Sequence, residues 1–96
     1  MKVTKQTKQV ENLVDEHFPN CPRDLPRAYR YNPASIRVRI VDPRFKDKNR
    51  SEREKMVMAI VRTLPEETRQ ELTVLLLLTP DELADSLMNR QFEHPD

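Results

Sequence analysis

Apolar positions recur along this chain with two different periods. Val3, Val10, Leu13, Val14 and Phe18 fall close to every 3.6 residues, which predicts an amphipathic helix over roughly residues 3–17. Phe18-Pro19-Asn20 ends it, because a proline pushes the residue before it out of the helical region. Four prolines between Pro19 and Pro33 leave little periodicity, so that stretch is expected to be a rigid connector with at most a short edge strand at Ala28–Tyr31. Over Ser35–Val41 the period becomes two. Ile36, Val38 and Ile40 alternate with Arg37 and Arg39, which predicts a strand with one apolar and one basic face. Asn32-Pro33-Ala34 would turn Ala28–Tyr31 back onto it as a hairpin, and Asp42-Pro43-Arg44 would end it.

The second half starts with a helix signal. Ser51-x-x-Glu54 fits a capping box, and the buried stripe behind it would be Met56 or Val57, then Ile60, Val61 and Leu64. Pro65 interrupts that helix and suits the first turn of a short helical piece, Pro65–Glu71. The apolar run Val74–Leu78 fits a buried strand or a buried helix equally well by pattern, although leucine and the preceding PEETRQEL favour helix intrinsically. Thr79-Pro80-Asp81-Glu82 predicts another helix start, with Leu83, Leu87 and Met88 on its inner face and Gln91–Asp96 as a frayed, flexible tail.

Composition narrows the classes of function. Ninety-six residues make one domain, residues 1–96 with a core of about 3–90. There is no glycine, which excludes a Gly-rich phosphate loop, a dinucleotide fingerprint or a GxxG clamp. Cys21 is alone, so neither an internal disulfide nor a zinc site built mainly from thiolates is available. No apolar run is long enough to span a membrane, and the start MKVTKQTKQVE lacks the apolar stretch of a secretory signal; cytoplasmic residence is the expectation.

Charge is divided unevenly. Residues 23–55 carry eleven Lys and Arg against five acids, a net of +6, while residues 56–96 carry three Arg against eight acids, a net of −5. Two readings of this division stand side by side: a basic binding face in the middle third, or two halves that neutralise each other across the fold. The candidate basic face comprises Arg37 and Arg39 on the strand, then Arg44, Lys46, Lys48, Arg50 and Arg53 through a loop into a helix start, with Lys55 beyond. Tyr29 and Tyr31 on the adjacent strand would supply stacking surfaces, and the whole suits the phosphates of RNA or DNA. The same patch would serve an acidic protein partner or a second copy of the chain.

Other chemistry finds fewer supports. His17 and Cys21 straddle the first helix end, but two ligands do not close a metal site, and His94 belongs to the expected tail. Glu66/Glu67 and Asp81/Glu82 sit at helix starts, where the helix dipole accounts for them. No base adjoins a nucleophile in the sequence. A non-catalytic chain without metal or cofactor is therefore expected, with Cys21→Ser leaving fold and binding unchanged.

One family resemblance bears on the ambiguous run. Ile36–Asp42 followed by Arg44-Phe45, then Arg53-Glu54-Lys55-Met56-Val57, then Leu75–Leu78 with Thr79, resembles the core of the BolA family, over roughly half the chain. The resemblance implies a type II KH-like α+β fold of order αββαβα and favours strand for residues 73–78. It departs from the family at Asp47, where the family has glycine, and at Glu54 and Thr73, where it has histidines. Thr73 replaces the histidine that serves as iron–sulfur ligand in complexes with monothiol glutaredoxins, so cluster binding is not carried over. The fold expected is a single α+β domain with a three-stranded sheet, Ser35–Val41 central, and helices packed on one face.

Overall fold

A computed structural model describes residues 4–84 and 86–94. The elements are α1 (Lys5–His17), β1 (Ala28–Asn32), β2 (Ser35–Val41), α2 (Arg50–Val61), α3 (Glu66–Gln70), β3 (Leu72–Leu78) and α4 (Leu87–Glu93). They form a single α+β domain around one three-stranded sheet of order β1-β2-β3. β1 runs antiparallel to β2, with Ala28 opposite Val38 and Tyr29 opposite Arg37. β3 runs parallel to β2, with Val38 opposite Leu75 and Ile40 opposite Leu77. The αββαβα order is present, with α3 as an added turn before β3.

The apolar stripe of α1 is buried as its spacing predicts, through Val10, Val14 and the capping residue Phe18; Val3 lies outside the described residues. Thr4 and Thr7 exchange side-chain and backbone hydrogen bonds at its start, satisfying two donors that the first turn leaves orphaned. Arg27, buried just ahead of β1, ties α1 to the sheet through Glu11 and Asp15. Its Nε lies 2.6 Å from Glu11 Oε1, an ion pair out of hydrogen-bond alignment. Burial works against the Arg27 charge, but the Asp15 hydrogen bond and the Glu11 charge outweigh it and raise its pKa.

The expected start of α2 is displaced by two residues. Asn49, not Ser51, is the cap: its Oδ1 accepts from the Glu52 N–H, and the Glu52 carboxylate accepts from the Asn49 N–H, each at 2.9 Å. Asparagine caps as well as serine does, and the preceding turn places it first in line. That turn is tight, since Asp47 has φ 62, in the left-handed region. Val57, Val61 and Leu64 are buried from the predicted stripe.

β3 answers the ambiguity of the apolar run. Alternate residues point to opposite faces: Leu75 and Leu77 pack into the main core, Leu76 and Leu78 into a second cluster. A strand covered on both faces needs no polar alternation, so pairing with β2 overrides leucine's helical preference.

α1 and α2 cover the Ile36/Val38/Ile40 face, closing the main core with Phe45, Ala28 and Cys21. The C-terminal segment differs from expectation. Pro80–Glu82 is only a 3-10 turn, and a new helix, α4, starts after Ser86, whose Oγ accepts from the Asn89 N–H at 3.1 Å. Met88 is exposed instead of lining an inner face. Gln91–Glu93 complete α4 and Phe92 is buried, so this part of the expected tail is packed structure; Pro95 and Asp96 lie outside the described residues. α4 lies on the face opposite α1 and α2, where Phe92 joins Tyr29, Leu76 and Leu78.

Candidate nucleic-acid interface

Alternation along β1 and β2 turns Tyr29, Tyr31, Arg37 and Arg39 toward the α4 side of the sheet, away from the apolar core. Two of the four are accessible there. The Arg37 guanidinium stacks 3.6 Å over the Tyr31 ring, and Tyr31 is 43% exposed. One further Arg37 contact is weak, Nη1 to the Tyr29 hydroxyl at 3.4 Å. Tyr31 and Arg37 border an open cleft of about 400 Å³ between sheet and helix, completed by Val74, Met88, Phe92 and His94.

The other two are not surface groups, contrary to expectation. Arg39 is only 1% exposed: Nη1 donates to Asn89 Oδ1 at 2.6 Å and to Glu93 Oε1 at 2.7 Å, and Nη2 donates to the Pro26 carbonyl at 2.9 Å. Its guanidinium also lies 4.7 Å over the Phe92 ring. Tyr29 is 2% exposed, edge-on to Phe92 with ring centres 4.8 Å apart, and its hydroxyl donates to the Phe92 carbonyl at 2.6 Å. Neither can touch a phosphate or a base while α4 is in place.

The loop cations form no continuous patch with Arg37. They gather at the C-terminal end of β2, whereas Arg37 sits near its start. Arg44 binds the buried Asp42 carboxylate, donates to the His17 carbonyl at 2.7 Å and stacks 4.6 Å over Phe18. Arg50 pairs with Glu54 one helical turn away. Arg53 is turned inward, with two nitrogens on the Glu82 carboxylate and bonds to the Lys48 and Leu77 carbonyls. Hydrogen bonding from Arg53, helped by the Thr79 N–H, pulls the Glu82 pKa down to about 2. Lys46 and Lys55 are exposed and Lys48 half-buried. At the N-terminus of α2, expected to welcome a phosphate, the Asn49/Glu52 box takes up the Asn49 and Glu52 N–H groups and sets the Glu52 carboxylate beside them.

Neutralisation across the fold thus accounts for much of the charge division. Arg30 with Glu71, Arg39 with Glu93 and Arg53 with Glu82 each join the basic middle to the acidic C-terminal part. The Arg30 guanidinium lowers the Glu71 pKa by hydrogen bonding, as Arg27 does that of Asp15. Cys21 faces the core, 3.5 Å from the Val41 N–H, and burial pushes its thiol pKa up. A serine there would bury a hydroxyl whose oxygen the Val41 N–H is placed to meet, the contact on which the expectation of an unchanged fold in Cys21→Ser depends. Among the described residues, no three His, Cys, Asp or Glu side chains converge to hold a metal, and no helix is long and apolar enough to cross a membrane.

Asn89, Phe92 and Glu93 are the residues that sequence reasoning missed. Their signal was short: Ser86 as a cap and a Met88–Phe92 spacing of one helical turn. Comparison with protein-family models, curated proteins and solved structures found no match to this chain.

Proposed function

We propose that this chain is a non-catalytic cytoplasmic module that binds single-stranded nucleic acid in the cleft between the sheet and α4. The observation that carries the reading is the Arg37–Tyr31 stack on the wall of an open 400 Å³ cleft. A planar guanidinium on an aromatic ring extends the surface on which a base stacks, and its remaining N–H groups are suited to phosphate oxygens. Met88 and His94 supply further contact surface opposite. With so many other arginines paired internally, binding rests on one or two phosphates. Affinity for a single-stranded octamer should then fall only about three- to sevenfold between about 50 and 200 mM salt. Fluorescence anisotropy with labelled RNA and DNA octamers measures this. Absence of binding at the lower salt, or binding unchanged in Arg37→Gln, removes the reading.

The family reading remains part of the proposal: a divergent BolA-like, KH-like chain without cluster binding. Two observations support it, the αββαβα order and the left-handed backbone at Asp47, where that family has glycine.

A protein partner is the second reading, favoured by the open outer edge of β3. Arg53 bonds the Leu77 carbonyl on that side, and alternation places the N–H and C=O of Leu75 and the N–H of Leu77 there too, with no partner among the described residues. The adjoining groove of about 310 Å³ includes Lys48, which would meet an acidic side chain of such a strand, while Arg50 and Arg53 there are already paired with Glu54 and Glu82. Light scattering at low and high salt tests pairing with a second copy; a monomer in both excludes it.

A further inference from the structure

We infer that α4 is an internal occupant of a larger binding face for single-stranded nucleic acid, with Phe92 in the place of a base and Glu93 in the place of a phosphate. The inference rests on the nucleic-acid reading of the cleft and extends it to the surface under the helix. Uncovered, β1 would present Tyr29 and Tyr31, and β2 beside it Arg37 and Arg39, with Tyr29 directly opposite Arg37 in the register. Aromatic rings on one strand and guanidinium groups on the next are the two components that a single strand needs, stacking platforms and phosphate ligands.

The contacts of α4 are the contacts such a ligand would make. The Phe92 ring packs edge-on to Tyr29 with centres 4.8 Å apart, and the Arg39 guanidinium lies 4.7 Å over its face, the cation–π contact a base would make there. The Glu93 carboxylate holds the Arg39 Nη1 at 2.7 Å, as a phosphate oxygen would. An arginine is a costly residue to bury for packing alone, since an apolar side chain there would need neither Glu93 nor Asn89. Tyr29 and Arg39 therefore form a recognition surface that is complete and already filled.

α4 is also built to be displaced. It is seven residues long, too short to hold a helix by itself. Phe92 and Asn89 are its buried side chains among those described, while Met88, Arg90 and Gln91 are exposed. The open cleft beside it gives a strand a first foothold on Arg37 and Tyr31, from which it would compete for Tyr29 and Arg39.

The test uses the full chain and a labelled oligouridine octamer at about 50 mM salt. Phe92→Ala removes the ring and Glu93→Gln keeps the size while removing the charge; circular dichroism establishes that both fold. Phe92→Ala should bind about tenfold tighter, because Tyr29 becomes available for stacking, and Glu93→Gln should also bind tighter, by a smaller factor. Hydrogen exchange on the wild-type chain gives the second readout. Bound RNA should speed exchange at the Asn89–His94 amides if the helix is displaced. Wild-type binding that depends on Arg37 but is not strengthened by either substitution, with those amides protected by RNA, overturns the inference and leaves the cleft reading intact. No binding by any of the three proteins overturns both.

Discussion

The two faces of the sheet are made by the same strand, β2, and they are closed in opposite ways. On one face Ile36, Val38 and Ile40 meet α1 and α2 in a continuous apolar core. On the other, Arg39 alternates with them and is buried just as deeply, but only because Glu93, Asn89 and the Pro26 carbonyl satisfy it. The first closure is non-directional and adds with area; the second works only if each donor finds its acceptor. The apolar face thus holds the domain together, and the polar face is one that a competing ligand with the right acceptors could open.

That contrast is broken or sharpened most by substitutions on the two faces of β2. Ile36→Ala, at a position with no exposure, should cost about 2–5 kcal/mol in urea unfolding, a large share of the stability of a domain this size. Glu93→Ala should cost about 1–3 kcal/mol: Arg39 would be left buried with one carboxylate fewer, while Asn89 and Pro26 still hold it. Arg39→Met should cost about as much as Glu93→Ala: it removes the buried charge, but it leaves the Asn89 Oδ1 and the Pro26 carbonyl without their donor, while Glu93 is partly exposed to water. If Arg39→Met proves as damaging as Ile36→Ala, Arg39 is structural and the division between the faces fails.

How far each face was legible in the sequence follows from the same physics. The period of two in Ile36–Ile40 and the helical spacing of Val10, Val14 and Phe18 identified the apolar face, because non-directional burial leaves a periodic trace. Alternation also placed Arg37 and Arg39 correctly on one side. It could not say that Arg39 is covered, because its partners Asn89 and Glu93 stand fifty or more residues away and leave no periodicity. Arg53 was misplaced for the same reason, its acceptor Glu82 belonging to the turn after β3, twenty-nine residues along the chain. Tyr31 and Arg37, exposed or half-exposed at the hairpin end, are the part of the candidate site that local pattern identified.

The rim pair Arg53–Glu82 gives a smaller test, by pH. The folded Glu82 pKa of about 2 lies below the ordinary value of 4.5, so its contribution is full above about pH 4.5 and disappears as pH falls toward 2. The Glu82 side chain is 43% exposed, and solvent screening reduces the loss to about 1 kcal/mol. Unfolding free energy measured between pH 6 and 2 should fall more in the wild type than in Glu82→Gln. An equal slope in both would mean that Arg53 is held mainly by the Lys48 and Leu77 carbonyls, and that acid sensitivity resides in Asp15 and Glu71.

The smallest effect concerns backbone that belongs to neither face. Asp47 has φ 62 in a chain with no glycine, between the turn that buries Phe45 and the Asn49 cap of α2. A non-glycine residue in that region carries a steric cost of roughly 1–2 kcal/mol, less for aspartate because it tolerates the conformation better than most. Glycine removes the cost but has more unfolded freedom to lose, which offsets part of the gain. Asp47→Gly should therefore stabilise the domain by about 0.5 kcal/mol, a small rise in the urea midpoint with an unchanged slope. Because Asp47 touches neither the apolar core nor the Arg39 network in any described contact, oligonucleotide affinity should stay as it is. A stabilised variant that also bound RNA differently would mean that the loop communicates with the α4 face, and the two faces would no longer be separable.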